Sequence, residues 1–240
     1  MNASARRRLV AWLRAPLDDT AAALEALVGG ARPRIGLALL AAAVTAAWFV
    51  YVPIHELLHV AGCLATGGRV TELELDPVYG AALLARWLPF VVPGGDHAGR
   101  LSGFDTGGSD AVYLATDAAP YLLSVWPGVA LLRLCARRPR PLVLGAATVL
   151  ALAPFYNAAG DYYEMGSILA GRIAGGSARF AALRSDDLPR LLGALVSEPA
   201  SLGLASPGAV AAGAGLVALG LALSLLLAFL TYAAGRALSR

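Results

Sequence analysis

Lysine is absent from this 240-residue chain, in which all 19 basic residues are arginine. Charge of either sign is scarce, at 15% of residues, where an ordinary soluble domain carries about 25%. The two cysteines, Cys63 and Cys135, lie in or beside apolar stretches and form no disulfide framework. Histidine occurs three times and aromatic residues make up 8%. Hydrophobic residues reach 58% and the mean hydropathy is +0.66. These figures exclude disordered, collagen-like and disulfide-stapled chains and point to one membrane-embedded domain. The formal charge of +3 does not imply a nucleic-acid partner, because the arginines flank apolar runs, where they read as topology signals. Abundant Ala and Gly with arginine as the only basic residue suggest a GC-rich, bacterial source.

The N-terminus is basic at Arg6-Arg7-Arg8, but Arg14 ends the following apolar stretch after five residues. A secretory leader needs about 7–15 apolar residues, so a cleaved one is not expected. Residues 9–28 alternate apolar patches with Arg14, Asp18, Asp19 and Glu25. Asp18 and Asp19 precede an Ala/Leu run as helix-starting residues do, and residues 1–34 read as a cytoplasmic amphipathic segment lying on the membrane surface.

The rest of the chain, 35–240, predicts an all-α integral membrane protein with about four transmembrane helices, near 35–64, 111–134, 141–170 and 208–235. Ile35–Ile54 and Pro141–Gly160 are each 20 residues without a charge, about 30 Å of helix. The second span is interrupted by Asp117, Pro120 and Pro127. Twelve arginines in the N-terminal segment, the 133–140 connection and the C-terminal tail stand against seven in the other two connections. That bias predicts a bacterial inner-membrane protein with both termini cytoplasmic. After Gly67-Gly68, residues 69–75 alternate like a strand, and 81–93 is too short to span and reads as a re-entrant or interfacial piece. Residues 94–110, rich in Gly, Ser and Asp, read as an exposed loop.

At the far end of the first span stands His55-Glu56-Leu57-Leu58-His59. On a helix, residues i and i+4 share a face, so His55 and His59 can hold one zinc ion, with Glu56 placed to take a proton from a bound water. A chance match in a chain of this composition has a probability of about one in a thousand. Zinc needs a third protein ligand, and Asp161 is the leading candidate. Arg34 to His55 and Arg140 to Asp161 are both 21 residues, so helices starting at one membrane face bring both to one depth. Glu164, on the same face three residues later, is the substitute, and His97 is a third candidate in a Gly-rich setting. Glu72 and Glu74 are explained by an exposed strand face and Cys63 as a small helix residue. Asn157, one turn before Asp161, binds substrate or packs between helices, and Asp117 supports a ligand or bonds a neighbouring helix.

These residues together resemble the site-2 protease family of intramembrane zinc metalloproteases. His55-Glu56-Leu57-Leu58-His59 is similar to that family's HExxH, and the stretch from Gly67 through Leu73, with Pro77 and Gly80, resembles its β-rich membrane-associated loop. Ala118-Ala119-Pro120-Tyr121 resembles the start of its next core helix, and Asn157 and Asp161 fall in the place of its Asn and ligand-Asp motif. The departures are Gly160-Asp161-Tyr162 where the family reads Leu-Asp-Gly, Pro154 preceding Asn157, and Leu58 in place of a glycine. The resemblance, covering about residues 35–170, implies a zinc-dependent peptide-bond hydrolase. His55, His59 and Asp161 would be the ligands and Glu56 the base, acting on a membrane protein or peptide. Val70 and Leu73, in the strand-like segment, are expected to bind the unwound substrate by strand addition. The alternatives are a family member without proteolysis, acting as a membrane binding module, and a lipid-modifying zinc hydrolase.

Overall fold

Asn2 starts the first helix well before the aspartates expected to do so. Its side-chain oxygen accepts from the Ala5 N–H at 2.9 Å, and α1 runs Ala3–Val28 in the computed structural model, which describes residues 2–175 and 178–239. Asp18 and Asp19 therefore lie inside α1, because an Asn cap two residues into the chain satisfies the helix start first. Asp19 serves another purpose. Its side chain is 15% exposed, accepts from Tyr232 Oη at 3.0 Å and pairs with Arg236 at 3.2 Å. The segment is amphipathic as expected, but its buried stripe of Ala15, Pro16, Ala23 and Leu27 packs against other helices of the protein.

The chain divides into two compact units, Met1–Ala153 with Thr231–Arg240, and Pro154–Leu230. In the first, α2 (Pro33–Ala65) carries the apolar run that begins at Ile35. Its first half exposes Ile35, Leu37, Leu39, Phe49 and Val50. Its second half buries Val52, His55, Glu56, His59, Val60 and Cys63, spaced by one helical turn. A polar stripe thus continues a surface suited to hydrocarbon.

Three strands follow: β1 (Arg69–Leu75), β2 (Val91–Pro93) and β3 (Gly99–Asp105), with a one-turn helix α3 (Ala81–Leu84) before β2. The sheet order is β2-β1-β3, with β1 parallel to β2 from Leu73↔Val91 and antiparallel to β3 from Arg69↔Asp105 to Leu75↔Gly99. The chain is mostly helical, as expected, but the short β-like segment after the first span is one strand of a three-stranded sheet, and β3 replaces part of the loop expected over 94–110. Gly99 and Gly103 lower the strand propensity of β3, and its ladder partner lies about 30 residues away, beyond any local pattern. β2 lies along the Leu73–Leu75 end of β1, where Leu73 is fully buried and paired with Val91, while Val70, the other residue of the expected strand-addition segment, pairs with Phe104 of β3. Leu83 and Trp87, in the segment read as interfacial, are 60% and 79% exposed.

Among the described residues, four helical segments are long and apolar enough to cross a membrane: Pro33–Ala65, Asp110–Arg137, Pro141–Ile173 and Pro207–Leu238. Two of them are broken. α4 (Asp110–Ala118) gives way to a tight turn at Ala119–Tyr121 and an extended Trp126 before α5 (Val129–Arg137). Pro120 and Pro127, which cannot donate to a helical ladder, account for the interruption. α6 (Pro141–Tyr156) stops before Asn157, and α7 (Asp161–Ile173) starts afresh after Gly160. The straight 21-residue helix expected from Arg140 to Asp161 therefore does not exist, although Pro141–Ile173 is long and apolar enough to cross a membrane.

In the second unit, α7, α8 (Leu188–Ser197) and α9 (Pro207–Leu238) enclose a core of Tyr163, Leu188, Leu191, Leu195, Leu204 and Val217. The carbonyls exposed by the break before α7 are satisfied within the unit, Ala158 by Ser224 Oγ at 2.6 Å and Ala159 by the Leu188 N–H at 3.1 Å.

In the first unit α6 approaches α2 closely at Gly145. A Cβ on Gly145 would stand 2.8 Å from both the Ala43 carbonyl carbon and the Val44 nitrogen. Gly145→Val is expected to force these helices apart and lower stability by about 1–3 kcal/mol. Thermal unfolding in detergent would show a reduced midpoint, whereas Gly171→Ala, where nothing stands within 4 Å, would change it little.

Candidate metal centre

The i, i+4 spacing on α2 brings the two imidazoles together: His55 Nε2 and His59 Nε2 are 3.1 Å apart, with ring planes at 85°. Both rings are 6% exposed and Glu56 is 9% exposed. The remaining ring nitrogens are each held. Tyr51, one turn before His55, places its hydroxyl 2.8 Å from His55 Nδ1, and the Thr116 carbonyl of α4 stands 2.9 Å from His59 Nδ1. A carbonyl can only accept, so His59 Nδ1 carries a proton, and in the neutral ring its Nε2 then presents a lone pair. The Tyr51 hydroxyl can donate or accept. When it accepts from His55 Nδ1–H, both Nε2 lone pairs face the same point. Tyr121 closes over the pair with its ring edge-on to His55 at 5.4 Å.

Thr116 is free to do this because of a residue four positions on. In a regular helix its carbonyl would accept from the N–H of residue 120, and residue 120 is proline. The helix break and the orientation of His59 are thus one feature of the sequence. Thr116 also turns its hydroxyl back onto the Val112 carbonyl at 2.9 Å. Neither Tyr51 nor Thr116 was singled out by sequence. The turn-spaced Tyr51 was detectable from its position, and Pro120 was the signal for Thr116.

Glu56 lies beside the sheet: it faces the first residue of β3, where a Cβ on Gly99 would stand 3.0 Å from Glu56 Oε1. Asp161 opens α7, where a carboxylate is favoured by the helix dipole, and Glu164 follows in the same first turn. Asn157 is half-buried and its carbonyl accepts from the N–H groups of Gly160 and Tyr162 at 3.1 and 3.2 Å, so its backbone shapes the entry into α7.

His55 and His59 belong to the first unit and Asp161 to the second, so the imidazole pair is the part of the expected ligand set that a single unit brings together. His97 is exposed ahead of β3, and Cys63 is buried with its Sγ 3.7 Å from the Arg69 carbonyl. Glu72 accepts from Ser102 Oγ across the sheet at 3.1 Å, a strand-face role. Asp117 is buried beside Thr116.

The donor set fits a tetrahedral cation. Two nitrogens bound at 2.0–2.1 Å from tetrahedral zinc stand about 3.3 Å apart, close to the Nε2 separation here, and imidazole with carboxylate is an ordinary zinc ligand set. Held Nδ1 atoms are the usual companions of such ligands.

Known proteins supply no family for comparison: no family model, curated protein or solved structure matches the chain.

Pro120→Ala is expected to return a backbone donor to the Thr116 carbonyl and weaken the hold on His59. Zinc affinity, measured by competition with a chromophoric chelator, should fall about tenfold or more, and Tyr51→Phe should do the same through His55.

Proposed function

We propose that this protein is a zinc-dependent peptide-bond hydrolase working within or at the surface of a membrane, on a membrane protein or peptide. The observation that carries the reading is the buried HExxH pair, with Nε2 atoms 3.1 Å apart and each Nδ1 held by a partner. The resemblance of these residues to the site-2 protease pattern agrees with it, and four helices of membrane length supply the setting. The arginine bias supports a bacterial inner membrane with both termini in the cytoplasm.

In this reading His55, His59 and Asp161 are the ligands. A zinc ion held there would act as a Lewis acid and bring the pKa of its water towards about 7. Glu56, adjacent to His55 and buried with it, takes the proton from the attacking water and delivers it to the departing amide nitrogen. Burial of all three α2 residues in an apolar setting strengthens every electrostatic interaction with the developing charge. Tyr51 and the Thr116 carbonyl keep the imidazoles fixed, so little reorganisation accompanies the reaction. The substrate carbonyl must first be released from any helix, since its oxygen is otherwise already bonded.

Glu56→Gln should keep one zinc per chain while hydrolysis of a reconstituted membrane peptide falls at least a hundredfold. His59→Ala and Asp161→Ala should lose the metal. Elemental analysis of detergent-purified protein, paired with a cleavage assay in proteoliposomes, checks all three. Zinc retained in Asp161→Ala would move the third ligand to Glu164. A zinc-loaded wild type that cleaves no membrane peptide would overturn the hydrolase in favour of a binding module.

A further inference from the structure

Gly99 is the first residue of β3, and its register partner is Leu75 at the end of β1. The backbone around it is pinned: the Asp76 N–H donates to the Ala98 carbonyl at 3.1 Å, and the Gly94 N–H donates to the Leu75 carbonyl at 3.0 Å. Gly99 does not adopt a left-handed conformation, so its lack of a side chain is not needed for the local fold. What it meets is Glu56. A Cβ there would stand 2.8 Å from Glu56 Cδ and 3.0 Å from Oε1, and nearer still to Cγ. All three of the nearest atoms belong to that one side chain.

We infer that Gly99 is a positioning residue for Glu56: the bare backbone at the start of β3 is the wall against which the carboxylate of α2 rests, and any side chain there displaces it. The consequence follows from unequal freedom. β3 is tied into a ladder on β1, while the Glu56 side chain turns about three single bonds, so an added methyl group moves the glutamate and not the strand. His55 and His59 point elsewhere on α2 and keep their Tyr51 and Thr116 partners. The kinetic consequence rests on the hydrolase reading above; the steric one does not.

The chain has six glutamates, so protein labelled with δ-13C glutamate has few carboxyl resonances, and Glu56→Gln identifies the one from Glu56. In metal-free protein, Gly99→Ala should shift that resonance and leave the other five in place. With zinc loaded, metal stoichiometry should match wild type, kcat should fall about tenfold to a hundredfold and KM should stay within about twofold. Gly99→Val should act more strongly. Ser102→Ala, on the same strand, should leave both the resonance and kcat alone. If Gly99→Ala lowers the thermal midpoint, the drop should vanish in a Glu56→Ala background, where the obstructed side chain is gone. A Glu56 resonance unmoved by Gly99→Ala, or a midpoint drop that persists in Glu56→Ala, overturns the inference. A wild type that hydrolyses nothing would fell the hydrolase reading alone, because the resonance and the midpoint cycle decide the role of Gly99 without turnover.

Discussion

Two imidazoles on adjacent turns of an apolar helix face each other only if each ring is held by its far nitrogen. Here the holders are a phenol hydroxyl one turn earlier on the same helix and a backbone carbonyl from α4. The rest of the first unit is arranged around that requirement. α4 must stop where it does so that Pro120 leaves the Thr116 carbonyl without its helical donor. The turn at Ala119–Tyr121 then brings Tyr121 edge-on to His55. A continuous helix through this region would occupy the carbonyl and leave His59 free to rotate.

The same economy of hydrogen bonds governs the second break. In an apolar medium each unpaired backbone group costs several kcal/mol, so an interrupted span needs local partners. Ser224 and Leu188 meet the carbonyls of Ala158 and Ala159, and Asn157 uses its own carbonyl to gather the Gly160 and Tyr162 amides. The result is a helix N-terminus at Asp161, which places a carboxylate in the first turn of α7.

The sheet contributes by proximity. Residues with no side chain lie where strands pass α2: Gly68 against Cys63 and Gly99 against Glu56. Because β1 is paired on both sides, it serves as a spine that fixes β3, and through β3 the surroundings of Glu56. Burying Leu73 and Leu75 with Val52 and Val60 ties that spine to the half of α2 that carries the polar stripe.

Much of this was legible in the residues themselves. A run of twenty uncharged positions must form a helix in a bilayer, and three such runs, with a fourth span interrupted by Asp117, follow from composition and length. The i, i+4 histidines share a face by helical geometry, whatever surrounds them. The alternation of 69–75 marks a strand. Three matters were decided only by tertiary structure. The pairing of β3 with β1 depends on a partner far away in sequence, and glycines within β3 hide it from any propensity. Asp161 was placed by a straight-helix count that the break before α7 invalidates; its position comes from how the break's hydrogen bonds are satisfied. The hold on His59 requires a carbonyl 57 residues away. The sequence shows that proline frees that carbonyl, but only the folded chain shows which ring it meets, because a hydrogen bond needs two groups within 3 Å and spacing along the chain fixes that distance only within a single helix.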